Sequence, residues 1–137
     1  MPAYTYERSD SKMGGSFPSF NDTEPLYIQI AQWLEDKIVT GQLQTDEQIP
    51  STTELSQTLK INPATIRKGV NILVEKGLVY KKRGMGMYVA ENANKNVRDD
   101  RRVKFYDDFI SPLLAEAQRL GLSREDIIDM LKGGADR

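Results

Sequence analysis

The chain has 137 residues and a formal net charge of −1, with 19 Lys and Arg against 20 Asp and Glu, a length suited to one ordinary domain or a small domain with an appendage. It contains no cysteine and no histidine, which excludes disulfides, thiolate nucleophiles and imidazole acid–base chemistry, and leaves carboxylates as the remaining metal ligands. No stretch approaches the roughly 20 apolar residues of a membrane span, and Met1 to Arg8 lack the apolar run of a signal peptide.

A cytoplasmic protein without membrane contact is therefore expected. With no phosphate loop or carboxylate constellation either, no catalytic residue, cofactor or metal is expected, and an enzyme is the least favoured class. The balanced total hides an uneven distribution. From Lys60 to Arg83 the cations Lys60, Arg67, Lys68, Lys76, Lys81, Lys82 and Arg83 face the single acid Glu75, a local net of +6. Either a solvated helix face or an anionic partner accounts for such a segment.

In chain order, residues 1–22 read as a flexible N-terminal tail, because Ser9, Ser11, Gly14, Gly15, Ser16 and Ser19 interrupt any apolar period. A helix is predicted from Pro25 to Thr40, capped by Asp22 or Thr23, with Leu26, Ile30, Trp33, Leu34 and Ile38 as its buried stripe and Gly41 as its stop. Trp33 belongs to that stripe; Tyr27, beside it, either packs on a neighbouring element or faces solvent. A shorter helix over Pro50–Leu59 carries a capping box, Ser51 with Glu54, and buries Leu55 and Leu59. After the link Lys60-Ile61-Asn62, a third helix runs from Pro63 to Lys76, with Asn62 as cap, Pro63 in the first turn and Ile66, Val70 and Leu73 inward. Two helices joined by about three residues form a helix-turn-helix pattern.

Gly77 ends this helix. Leu78–Tyr80 and Met87–Val89 then read as short strands joined by Lys81-Lys82-Arg83-Gly84-Met85-Gly86, a basic, glycine-bearing hairpin with the composition of a wing. From about Val97 a long amphipathic helix follows, with a kink or break expected near Asp108–Ser111 because of Pro112. Gly121 closes it, and Ser123 with Asp126 opens a last helix bearing Ile127, Ile128 and Leu131. The expected fold class is mainly α with a small β-hairpin, a winged helix-turn-helix over 23–92 followed by a short two-helix dimerisation region over 93–137.

The stretches PLYIQIAQWLEDKIVTGQL, IPSTTELSQTL and INPATIRKGVNILVEKGLVYKKRGMGMYV, with the Gly41 turn, the Pro50-Ser51 pair, Asn62-Pro63-x-Thr65 and the glycine-bearing wing, resemble the GntR family of bacterial transcription regulators over Pro25–Ala90. The short tail is similar to that of the YtrA-type branch. The resemblance implies a dimeric repressor or activator that binds an inverted repeat in double-stranded DNA, often beside a transporter operon. It also implies DNA contact by Thr65 and Arg67. Thr53 stands where the family commonly has a phosphate-binding arginine, which shifts the electrostatic load toward the wing.

The candidate DNA-binding residues are Ser51, Asn62, Pro63, Ala64, Thr65, Arg67, Lys68, Lys82, Arg83 and Gly84. Arg67 can span a guanine edge or grip phosphate, and the choice stays open. Ser51 serves equally as cap or phosphate donor, and Asn62 is a cap before it is a base reader. The backbone N–H groups at Asn62–Thr65 offer a phosphate site. In the tail, Val97, Phe105, Phe109, Leu113, Leu114 and Leu120 carry more apolar area than one helix hides against a small domain, which points to a homodimer. Arg98, Arg101, Arg102 and Lys104 mix with Asp99, Asp100, Asp107 and Asp108 and read as a solvated face. A small-molecule effector between tail helices or protomers and control by protein abundance alone are equally compatible. The competing reading is a winged-helix protein-interaction module without specific DNA readout.

Overall fold

In the computed structural model, which describes residues 4–8 and 16–133, the chain begins with two antiparallel strands, β1 (Tyr4–Arg8) and β2 (Ser16–Phe20), in register from Tyr4↔Phe20 to Arg8↔Ser16. This corrects the expectation of a structureless segment over 1–22. Tyr4-Thr5-Tyr6 and the two phenylalanines of Ser16–Phe20 favour extended backbone, a local preference masked in the sequence by the surrounding Ser and Gly. Residues 1–3 and 9–15 of the expected tail lie outside the described residues. The chain divides into two units, Pro2–Asp100 and Arg101–Arg137.

In the first unit, helix α1 (Leu26–Val39) buries Ile30, Trp33, Leu34 and Ile38 completely, as the predicted stripe requires. Neither Asp22 nor Thr23 caps it: Pro25 holds the cap position without a side-chain bond. The approach is fixed instead by Gln29, fully buried, whose Oε1 accepts from the Asn21 N–H (3.0 Å) and whose Nε2 donates to the carbonyls of Asn21 (2.8 Å) and Glu24 (2.7 Å). Both acceptors belong to a loop that water would otherwise satisfy, so Gln29 makes its own burial tolerable by pairing three times.

Helix α2 (Thr52–Leu59) starts in the expected capping box, with Ser51 Oγ accepting from the Glu54 N–H at 3.0 Å, and ends at Lys60 in the left-handed conformation (φ 56°, ψ 48°). Helix α3 (Pro63–Glu75) follows at once and buries Ile66, Val70 and Leu73 against α1 and α2. Gly69 sets how closely α1 and α3 approach: a Cβ there would stand 2.9 Å from both Ile30 Cγ2 and the Tyr27 carbonyl. At the far end, Lys76 Nζ pairs with Glu35 of α1 at 2.8 Å, a carboxylate only 10% exposed.

Strands β3 (Val79–Lys82) and β4 (Gly86–Val89) form the wing, with Tyr80 opposite Tyr88 and Lys82 opposite Gly86. The strands are longer than expected and the tip is shorter, so Lys81 and Lys82 are strand residues. A third segment was missed altogether. Residues 46–49 run antiparallel to β4, joined by Asp46 N–H to the Val89 carbonyl (2.8 Å), Val89 N–H to Glu47 (2.9 Å) and Ile49 N–H to Met87 (2.9 Å). Ile49 turns into the core beside Val79 and Val89, and a lone two-stranded hairpin, marginal in water, becomes part of a packed unit.

Helix α4 (Ala93–Phe105) begins four residues before Val97. Its first turns close the core of the first unit: Ala93 is fully buried, Val97 is 4% exposed, and Asn94 Nδ2 donates to the carbonyls of Ile38 (2.8 Å) and Val39 (3.2 Å) at the end of α1. Val97 is therefore a core residue of its own protomer, which corrects its assignment to a dimer surface. Ala93 and Val97 stand one helical turn apart, so the face that buries one buries the other.

In the second unit the helical path passes through a π-helical turn, Tyr106–Ile110, into α5 (Ser111–Arg119) and then α6 (Arg124–Lys132). The break expected near Asp108–Ser111 takes this form: the Ser111 N–H reaches back to the Tyr106 carbonyl, and Pro112, which has no N–H to donate, follows directly in the first turn of α5. The predicted Ser123–Asp126 capping box is present, with bonds of 3.1 and 2.8 Å. Among the described residues of this unit only Ala117 is buried. Among the described residues, no helix is long and apolar enough to cross a membrane.

Candidate nucleic-acid interface

The interface is built from the start of α2, the first two turns of α3 and the wing. Ser51, Asn62, Pro63, Ala64, Arg67, Lys68, Lys82, Arg83 and Gly84 are all exposed, and Thr65 is half-buried. Arg67 and Arg83 hold no ion pair among the described residues, so both guanidinium groups face solvent with their donors uncommitted. Thr53 is exposed as well.

The start of α3 does not offer the phosphate site expected of it. Asn62 Oδ1 accepts from the Ala64 N–H at 2.8 Å, the Thr65 N–H bonds the Asn62 carbonyl at 3.0 Å, and Pro63 has no N–H to give. The first backbone donors are thus spent locally, and Asn62 is committed as a cap. This corrects the idea that Asn62, Pro63 and Ala64 act through free backbone donors; Pro63 and Ala64 shape the helix start instead. At Ser51 the two roles coexist: its oxygen accepts from Glu54 while the hydroxyl proton remains available to an anion.

The two lysines are each held over an aromatic ring. Lys68 Nζ lies 4.5 Å from the centroid of Tyr27, which settles the packing of that tyrosine, and Lys82 Nζ lies 4.3 Å from Tyr88 and 5.8 Å from Tyr80. Cation–π contact of this kind restrains an ammonium while leaving it charged, so these lysines add positive potential from fixed positions. The tyrosines are themselves anchored. Tyr80 and Tyr88 stack at 6.0 Å, and the Tyr80 hydroxyl donates to Asp46 Oδ1 at 2.8 Å, a bond that raises its pKa above 10.0 because ionisation would break it. Behind the interface, burial lowers the pKa of Lys37, whose Nζ donates to Gln42 Oε1 at 3.2 Å and lies 5.0 Å from the Trp33 ring centroid.

Of the other expected surface residues, Phe105, Phe109, Leu113 and Leu120 are 53, 40, 42 and 64% exposed, and Leu114 is half-buried. Ile128 and Leu131 of the last helix are exposed as well, and so are Val103, Tyr106 and Met130, which were not singled out from the sequence. A cleft of about 170 Å³ in the first unit, lined by Ile38, Leu43, Thr45, Val89 and Asn94 among others, is smaller than the roughly 300 Å³ at which small-molecule sites begin.

Sequence reasoning also missed Gln48. Its Nε2 donates to the Met85 carbonyl at the wing tip at 2.8 Å. The available signal was the alternation of Gln48 and Ile49 just before Pro50, too short to separate from a loop.

A capped pair of helices, a second helix with an outward arginine and a glycine-tipped basic wing define a winged helix-turn-helix DNA-binding regulator. The profile described as "Bacterial regulatory proteins, gntR family" matches residues 26–89. A solved GntR family transcriptional regulator from Listeria monocytogenes is 32% identical and superposes with a TM-score of 0.69 over 82% of this chain and 97% of its own. The HTH-type transcriptional regulator YhcF of Bacillus subtilis is 27% identical over 113 residues, 82% of this chain and 92% of YhcF. The transcriptional repressor YtrA of the same organism is 27% identical over 108 residues, 79% of this chain and 82% of YtrA.

The chain belongs to the GntR family of bacterial regulatory proteins. It is a DNA-binding transcription regulator and not an enzyme, and this membership decides against the protein-interaction module as the primary reading.

Proposed function

We propose that the protein is a homodimeric repressor of the YtrA type, acting in the cytoplasm on an inverted-repeat operator, with a neighbouring transporter operon as its target. The observation that carries the dimer is the apolar surface of the second unit, where Phe105, Phe109, Leu113 and Leu120 stay 40–64% exposed. Phe105, Phe109 and Leu113 follow one another at four-residue spacing, and an exposed apolar stripe of this kind marks an interaction surface. A dimer carries two α3 helices, one for each half-site of an inverted repeat, whose successive major grooves lie about 34–36 Å apart. Repression follows the likeness to YtrA, itself a repressor. In each half-site Thr65 and Arg67 contact the major groove, Ser51 donates to phosphate, Arg83 and Gly84 approach the duplex from the wing, and Lys68 and Lys82 contribute potential.

Sedimentation combined with fluorescence anisotropy on a duplex selected from a random pool tests this reading. The wild-type protein sediments as a dimer and binds with two protomers per inverted repeat. Leu113→Glu with Phe109→Glu yields a folded monomer whose affinity is about 100-fold lower, the loss expected when two linked half-sites become independent. A wild-type monomer that saturates the duplex one to one, or equal binding to scrambled duplex, overturns it.

A further inference from the structure

The wing tip carries Arg83 and Gly84, beyond the Lys82↔Gly86 pair that ends the ladder, and is closed by the turn bond from the Met85 N–H to the Lys82 carbonyl at 2.9 Å. Two side chains reach that tip from outside the turn. Gln48 Nε2 donates to the Met85 carbonyl at 2.8 Å, and the Tyr88 hydroxyl lies 3.3 Å from the same carbonyl and 3.5 Å from Gln48 Oε1. Room for Gln48 is made by Gly86, where a Cβ would stand 2.7 Å from Gln48 Nε2 and where φ is +101°, a backbone that disfavours any other residue.

Gln48 also sits two residues before Pro50 and three before Ser51, on the segment bonded to β4 through Glu47 and Ile49. One amide therefore ties the tip of the wing to the strand that runs straight into the capping box of α2. We propose that Gln48 is a positioning residue for DNA binding, which holds Arg83 and Gly84 at a fixed place relative to the Ser51 hydroxyl so that wing and helix start meet the backbone of the duplex as one preorganised surface. The proposal rests on the reading of Arg83 as a DNA contact.

The physical case for a positioning role is that the bond is exposed. Exposed hydrogen bonds exchange with water at little net gain in folding free energy, but restricting a hairpin tip to its bound orientation removes an ordering cost from association. Loss of the Gln48 donor thus frees the tip without unfolding the domain.

The experiment measures affinity for a labelled duplex selected from a random pool, over a range of salt, for wild type, Gln48→Glu, Gln48→Ala, Gly86→Ala, Arg83→Ala and the double variant Gln48→Ala/Arg83→Ala, with thermal unfolding of each. Gln48→Glu keeps the length and removes the donor. It and Gln48→Ala are expected to unfold with wild-type midpoints, to bind about tenfold more weakly and to lower the slope of log affinity against log salt by about one, the signature of one lost phosphate contact. The double variant is expected to bind no more weakly than Arg83→Ala, because Gln48 acts through the tip. Wild-type affinity in both Gln48 variants overturns the proposal, and so, where Arg83→Ala itself weakens binding, does a Gln48→Ala loss that adds in full to it. A neutral Arg83→Ala beside weakened Gln48 and Gly86 variants fails the Arg83 contact alone and supports positioning through the wing backbone.

Discussion

The two units treat their apolar residues in opposite ways. In Pro2–Asp100 the large side chains of Ile30, Trp33, Leu34, Ile38, Leu55, Ile66 and Leu73 are fully enclosed, whereas in Arg101–Arg137 Val103, Leu120 and Leu131 are 83, 64 and 72% exposed. The first unit closes its own core, with α4 supplying the last wall through Ala93 and Val97. The second consists of helices held by caps and by local contacts such as the Phe105–Phe109 ring pair at 5.5 Å, with almost no interior. Stability in the first is therefore a property of one chain; in the second it depends on what covers the exposed face, which the proposed dimer supplies.

The largest expected effect probes that contrast directly. Leu34→Ala removes a fully buried side chain from the centre of the first core and is expected to lower unfolding free energy by about 2–5 kcal/mol, independently of protein concentration. Leu120→Ala makes the same chemical change at a residue 64% exposed and is expected to change protomer stability by under about 0.5 kcal/mol, while weakening association. Denaturant unfolding at several protein concentrations separates the two. Equal, concentration-independent losses would erase the distinction between the units.

A second test lies inside the first unit, where tight packing should punish added volume as well as lost volume. Gly69→Ala would ordinarily favour a helix by about 1 kcal/mol. Here the new methyl meets Ile30 Cγ2 and the Tyr27 carbonyl at 2.9 Å, and backbone at that distance cannot move without displacing α1. A net destabilisation of about 1–3 kcal/mol is expected from overpacking, read as a lower urea midpoint. A stabilised variant would show that α1 and α3 separate more easily than the packed core implies.

The contrast between the units also governs what the sequence revealed. The stripes of α1, α2 and α3, the Ser51 and Ser123 capping boxes and the Asn62 cap were legible because each is written in residues three or four apart, where local geometry decides the outcome. The third wing segment was not, since its bonds from residues 46–49 to β4 join positions about forty apart and carry no periodic signal. Val97 was misplaced for a related reason: an amphipathic pattern says which face is apolar, not whether the same chain or another covers it. Gly69 and Gln48 share this blindness, because close approach and side-chain tethering appear only when distant elements are brought together. At the interface, the surface residues were identified by type and spacing, but the commitment of Asn62 to capping and of Lys68 and Lys82 to tyrosine rings depends on coordinates.

The smallest expected effect belongs to the second unit and follows from its reliance on local bonds. Asp126 accepts from the Ser123 N–H at 2.8 Å, and this backbone bond, followed by the side-chain bond with Ser123, holds its pKa below the ordinary 3.8. A carboxylate depressed in the folded state contributes stability that is fully present above its unfolded value and is lost as pH falls through the lower folded value. The N-terminal turn of α6 should therefore remain formed at neutral pH and fray only in acid below pH 3.8, with amide exchange at Ser123 and Asp126 rising there. Asp126→Asn keeps an acceptor but does not titrate, so its exchange should lack this acid step. Because the group is fully solvated, the change should stay confined to α6 and leave Leu34 and its neighbours protected; simultaneous loss of protection in the first core would mean that the two units do not open independently.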